Sequence, residues 1–159
     1  MSSYFFLRNK FNQWYICPFK VDGIIYNCCE QYMMAQKSEL FEDWETHVKI
    51  MASENPKEVK DLGREVKGFN QKVWDLHKSY IVFKGNYHKF KQNEEIRNLL
   101  LDTKNLYLAE TNKDDWTWSI GIDKKDAIDI PPHKYPGQNL LGITLMQVRE
   151  VLKNEENKK

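Results

Sequence analysis

The chain has 159 residues, of which 41% are hydrophobic and 30% charged, with a net charge of +1. That size suits one domain with its own core, and the near-neutral charge argues against a tight, non-specific nucleic-acid binder while leaving room for a local phosphate site. No apolar run reaches transmembrane length, and the three cysteines have neither CxxC nor His/Cys ligand spacing, so no metal is expected.

Residues 1–159 read as a single α+β domain, predominantly helical with a small β-sheet, ending in a polar tail from about residue 154. Tyr4-Phe5-Phe6-Leu7 is a short strand candidate. Phe19 to Tyr26 reads as two strands around an Asp22-Gly23 turn. Asn27 then stands where a helix N-cap belongs, with Glu30 at N3, and that helix runs to about Phe41. A second helix covers Trp44 to Ala52, and Pro56 opens a third near its N1 position. A longer helix starts near Asn70 and carries Val73, Trp74, His77, Lys78 and Ile81. Asn93-Glu94-Glu95 opens a short helix through Leu101, and Leu106 to Glu110 reads as a strand. Thr111 to Gly137 is polar and carries three prolines, and a loop of that length is often functional. The last helix starts near Asn139 or Leu140 and carries Leu145, Met146, Val148, Arg149 and Leu152. The odd cysteine count, with Cys28 and Cys29 adjacent, and the lack of a leader pattern predict a reducing, cytoplasmic setting.

Glu30 and Lys37 are seven residues apart, close to two helical turns, so their side chains share a face that also carries Met33 or Met34. A carboxylate and an amine on an apolar wall can serve as an acid/base or nucleophilic pair. The plainer account makes Glu30 half of a capping box and Lys37 a solvated surface lysine. Trp74 and Lys78 are one turn apart: the tryptophan is either core or a stacking platform, the lysine either a phosphate contact or a snorkelling side chain. Asp115, Trp116 and Trp118 lie in the long loop, where tryptophans are harder to explain as core; a Trp–Asp pair suits stacking of a base and bonding of a sugar hydroxyl. Gly137 to Gly142 is a turn feeding a helix; it either presents N–H groups to a phosphate or simply packs through Gly142. Arg149 suits a buried carboxylate or a phosphate. The four histidines stand in no nucleophilic or metal motif.

In order along the chain, these segments resemble the YbiA-like N-glycosidase family, also called NADAR. The likeness begins at Phe11, Pro18-Phe19 and Val21-Asp22-Gly23. It runs through Glu30-Gln31-Tyr32-Met33-Met34-Ala35-Gln36-Lys37, similar to the family's E-x-Y-x-x-A-x-K block. Leu62-Gly63-Arg64, Trp74 with Lys78, Lys89-Phe90-x-Gln92-Asn93, Leu99-Leu100-Leu101-x-Thr103 and Leu108-Ala109-Glu110 follow. Asp115-x-x-Trp118 resembles its D-x-x-W-G, and Gly137-x-Asn139-x-Leu141-Gly142-x-x-Leu145-Met146-x-Val148-Arg149 resembles its C-terminal signature. Two positions depart: Asn12-Gln13-Trp14 stands where the family has Ser-Asn-Phe or Ser-Asn-Trp, and Ser119 stands where it has Gly.

The resemblance implies a YbiA-like fold and a hydrolase of a ribosyl C1–N bond, with no cofactor. Its substrate would be nucleotide-like: ADP-ribosyl-guanine, free or in DNA, or a phosphorylated ribosylamino-pyrimidine intermediate of riboflavin synthesis. It makes Glu30, Lys37 and Asp115 the catalytic residues. Gln13, Arg64, Trp74, Lys78, Trp118, Asn139 and Arg149 become the substrate-binding ones, with Trp74 and Trp118 as stacking walls. Cleavage builds positive charge on the sugar. Glu30 would stabilise that charge or activate water, and Asp115 would orient a ribose hydroxyl, assist the water or protonate the leaving group. Lys37 would either donate to substrate oxygen or attack C1 and form an imine. Two other classes compete: a non-catalytic module that binds ADP-ribose or NAD, and an interaction protein whose loop tryptophans form a contact patch.

Overall fold

The computed structural model describes residues 4–159, which divide into two compact units: one of residues up to Phe11 together with Glu95–Lys159, the other Asn12–Glu94. The fold is α+β, with seven helices and two small sheets among the described residues.

The Asn12–Glu94 unit starts with an antiparallel hairpin, β2 (Phe19–Val21) and β3 (Ile24–Tyr26), with Phe19 paired to Tyr26. Its loop residues Asp22 and Gly23 have φ of 51° and 84°, the two positive values that a two-residue hairpin turn of the I′ kind demands. Helices α1 (Cys29–Leu40), α2 (Trp44–Ala52), α3 (Pro56–Gly63) and α4 (Gln71–Gln92) follow. Three of them start on side-chain caps: Asp43 accepts from the Thr46 N–H, Asn55 from Lys57 and Glu58, and Asn70 from Val73. Helix α1 is the hub and packs on α2, α3 and α4. Cys29 through Ala35 are all buried, so its first two turns have no solvated side. The Tyr26, Tyr32 and Phe19 rings close the seam between hairpin and helix, with Tyr26 edge-on to Tyr32 at 4.9 Å.

The capping box expected at Asn27 and Glu30 does not form. The N-cap is Cys28, whose side chain makes no capping hydrogen bond, and Glu30 sits at N2. The residue that reaches back is Gln31: its Oε1 accepts from the Asn27 N–H at 2.8 Å, and its Nε2 donates to the Ile50 and Ser53 carbonyls at the end of α2. A side chain at N3 that reaches back to a backbone N–H is what the motif asks for. It is met one residue later than the sequence suggested.

In the other unit, β1 (Tyr4–Phe6) pairs in parallel with β4 (Tyr107–Ala109), so the expected single sheet is two separate two-stranded pieces. Helix α5 (Glu94–Asp102) precedes β4. The polar stretch after it is not all loop: it contains the single turn α6 (Lys124–Ala127) and a 3-10 turn at Pro132–Lys134. Ala109, Ile120 and Ala127 form a small core there, covered by Phe6, Tyr107, Ile122 and Tyr135. Helix α7 (Leu140–Asn157) buries Leu141, Leu145, Val148 and Leu152, a strict helical stripe. It runs three residues past the point where a frayed tail was expected. No helix among the described residues is long and apolar enough to cross a membrane.

Gly142 lets α7 approach β4: a Cβ there would fall on the Leu108 carbonyl oxygen, a backbone atom that cannot swing aside. Gly142→Ala should therefore destabilise the protein by about 2–3 kcal/mol, an overpacking cost. Urea unfolding will measure it, and an unchanged midpoint would refute the close approach.

Candidate active site

In the Asn12–Glu94 unit, Glu30 lies in the first turn of α1 and Lys37 in its last, two turns along. Glu30 is 5% exposed. Its N–H has no partner within the helix and donates instead to the Gln13 carbonyl at 2.9 Å. The Gln13 side chain in turn accepts from Asn86 Nδ2 of α4 at 2.9 Å. Gln13 thus ties the start of α1 to α4, and its longer side chain leaves the main-chain bond to Glu30 intact.

Lys37 is no solvated surface lysine. Its Nζ lies 4.6 Å from the ring centre of Phe69 and 5.6 Å from that of Trp74, within cation–π range of both. Burial pushes its pKa below the ordinary lysine range; the Glu30 charge pulls it back up, and the Arg64 guanidinium adds a smaller downward push. Arg64 caps the C-terminus of α3 and is exposed. Trp74 is 8% exposed, so its ring is chiefly wall, whereas Phe69 is 41% exposed. Phe41 packs edge-on against Phe69 at 5.3 Å. Lys78 Nζ pairs with Asp75 at 2.8 Å on α4.

Phe69 is held by its chain neighbours. The Asp43 carboxylate caps α2 through Thr46 and also accepts from the Lys67 N–H at 2.9 Å. These donors, the Lys67 N–H first, hold its pKa down to about 2. The segment leading to Phe69 is therefore anchored two residues before the ring. The sequence signal for Phe69 is a hydrophobic staple: Asn70 is the N-cap of α4, which makes Phe69 N′ and Trp74 N4, the two staple positions.

The remaining expected site residues lie in the other unit. Asp115 Oδ1 accepts from the N–H groups of Thr117 and Trp118 at 3.0 and 2.9 Å, closing an Asx-type turn. Trp118 is half-buried, and Trp116 is 59% exposed with its Nε1 donating to the Lys113 carbonyl. Asn139 is buried with φ of 52°; its Oδ1 accepts from the Glu110 N–H and its Nδ2 donates to the Leu108 carbonyl and the Tyr107 hydroxyl. Arg149 Nη1 donates to Thr103 Oγ1 and to the Leu106 carbonyl, both at 2.9 Å, and so braces α7 against the segment before β4.

The N–H groups of residues 137 to 141 are not available to a phosphate. They donate in turn to the carbonyls of Ile120, Trp116, Ser119, Thr117 and Trp118. This lacing settles the Gly137–Gly142 turn as packing. Ser119 fits it without strain: it is buried, its Oγ donates to the Asn112 carbonyl and accepts from the Gly121 N–H, and the positive φ falls to Gly121.

Glu110 was not singled out by the sequence. Burial pushes its pKa up to about 7; the Thr111 N–H opposes this and the nearby Asp115 charge adds to it. Among the described residues, no group of three His, Cys, Asp or Glu side chains is placed to hold a metal ion.

Residues 4–153 match the family model of the NADAR domain, and the chain belongs to that family. It is 43% identical over 145 residues to "N-glycosidase R617" of Acanthamoeba polyphaga mimivirus, spanning 88% of this chain and 85% of that one. It is 32% identical over 139 residues to "N-glycosidase YbiA" of Escherichia coli K12, spanning 87% of this chain and 78% of that one. The solved NMR structure of E. coli YbiA superposes with a TM-score of 0.82 at 28% identity, covering all of this chain and 90% of that one.

The raised Glu110 pKa makes stability depend on pH. A carboxyl whose folded pKa lies near 7, above an ordinary value of 4.5, contributes stability that is complete below about 4.5 and lost as pH rises through 7. Glu110→Gln should flatten the fall in melting temperature across that window and leave the variant on the order of 10 °C the more stable at pH 8. Parallel melting curves at pH 5 and pH 8 test this; equal slopes for the two proteins would show that Glu110 ionises normally.

Proposed function

We propose that this NADAR protein is a hydrolase of N-glycosyl compounds that cleaves the C1–N bond between a ribose and a nucleotide base, with ADP-ribosyl-guanine as its substrate. One observation carries this reading: a lysine amine pushed toward its neutral form by burial, on the same helix as a buried carboxylate whose charge reaches it. Neutral Lys37 attacks C1, the C1–N bond to the base breaks, and the base leaves with a proton. Opening of the ribose ring yields an imine at Lys37 Nζ, and water hydrolyses it to free the sugar and restore the amine. Glu30 stabilises the positive charge that grows at C1 and serves as base toward the water. The family relatives' names, N-glycosidase, support the reaction class. The net charge of +1 favours a nucleotide or one modified base over long DNA contacts.

A mass-spectrometric turnover screen with ADP-ribosylated guanosine, its DNA form and ribosylamino-pyrimidine phosphates tests the substrate. Release of base from none of them would end the hydrolase reading. Glu30→Gln should lower turnover by about 100-fold or more with the melting temperature nearly unchanged; normal turnover with a lower melting temperature would return Glu30 to a purely structural role.

Borohydride added during turnover should fix the sugar to Lys37, and its absence from that residue sinks the imine route. The rate should rise with pH through an apparent pKa below the ordinary 10.5, because the neutral amine is the reactive form. Lys37→Arg, which stays protonated at every working pH, should abolish both adduct and turnover.

A further inference from the structure

We propose that Phe69 is the wall on which the departing base stacks, and that Trp74 supports Lys37 from within. The inference rests on the N-glycosidase reading above. A stacking platform must offer a ring face to a ligand. Trp74, at 8% exposure, has little face to offer, whereas Phe69 is 41% exposed with its ring centre 4.6 Å from Lys37 Nζ. At attack the amine stands about 3–3.5 Å from C1, so the base still on C1 lies only one bond further from that nitrogen. Phe69 is within that reach. It is also preorganised: Asp43 pins the backbone at Lys67, Phe41 packs on the Phe69 ring, and Asn70 caps α4 immediately after it. These contacts hold the partly exposed ring in one place, as a preorganised platform requires. A phenyl ring has no hydrogen-bonding group, so the wall selects for a planar base and not for one particular base.

The test measures binding to the Glu30→Gln background, so that ligands survive. Two pairs of ligands differ only in the group on C1, a base or a hydroxyl: ADP-ribosyl-guanine against ADP-ribose, and a ribosylamino-pyrimidine 5′-phosphate against ribose 5-phosphate. In the pair that binds, Phe69→Ala should weaken the base-bearing ligand about tenfold and its base-free counterpart less than about twofold, and Phe69→Tyr should restore most of the loss. In the Glu30-intact protein, Phe69→Ala should raise KM more than it lowers kcat. Equal weakening of both members of a pair overturns the proposal. So does a shifted pH profile with unchanged KM, which would make Phe69 only a support for Lys37. Binding of neither pair overturns it as well. Base-selective loss in a protein that turns over neither substrate keeps the wall and removes the hydrolase reading; turnover with no selective loss does the reverse.

Discussion

A buried helix start must find partners for N–H groups that its own turns cannot serve. Helix α1 begins inside its unit, with Cys28, Cys29, Glu30 and Gln31 all buried. The Cys28 cap offers no side-chain hydrogen bond. The Gln13 carbonyl supplies one partner, to Glu30, and Gln31 turns its amide outward to bind Asn27 and the end of α2. The consequence is positional. Glu30 cannot shift without breaking a buried backbone bond, whose loss costs on the order of 1–3 kcal/mol. The bond fixes the backbone from which the Glu30 side chain extends.

Lys37 and Lys89 show why burial alone does not mark a functional lysine. Both amines are pushed below the usual range by desolvation. Lys89 is the deeper, with no exposed surface, and its Nζ donates to the Asn12 carbonyl at 3.0 Å. That bond holds the chain just ahead of Gln13, so Lys89 works on the backbone. Both lysines lie over two rings, Lys89 over Tyr15 and Phe90 and Lys37 over Phe69 and Trp74; Lys37 differs in being only half-buried and in feeling the Glu30 carboxylate. Cation–π attraction of about 0.5–2 kcal/mol per contact favours its charged form, as does the Glu30 carboxylate, yet the net shift is still downward. Desolvation outweighs the Glu30 attraction and holds the amine below the ordinary lysine range.

The sequence was most legible where local chemistry decides. Asn55 before Pro56, Asn70 before α4 and Asp22-Gly23 between strands each carry their instruction within four residues, and each element starts where those signals put it. The first helix was read one residue early because Asn27 resembles a cap, and the choice of Cys28 depends on Gln13 and Ile50, far away in sequence. The long polar stretch looked like a ligand loop. Whether its N–H groups were open or already spent on residues 116 to 120 depended on a pairing across twenty residues that no spacing rule encodes. Glu110 is the same case: an ordinary strand-end glutamate until burial and Asp115 raise its pKa.

The two departures from the family pattern bear on whether the candidate site is intact. Gln13 replaces a shorter amide, but what it gives Glu30 is a main-chain carbonyl, which any side chain would provide. The extra methylene is taken up by reaching Asn86 on α4, a bond with both partners in place at 2.9 Å. Ser119 replaces a glycine, the residue used where the backbone needs a positive φ. Here the positive φ sits at Gly121, and the new hydroxyl fills two hydrogen bonds inside the turn. Each change keeps the backbone arrangement and adds a local bond to it. Divergence at these two positions thus leaves the placement of Glu30 and the lacing of the 116–120 segment unaltered.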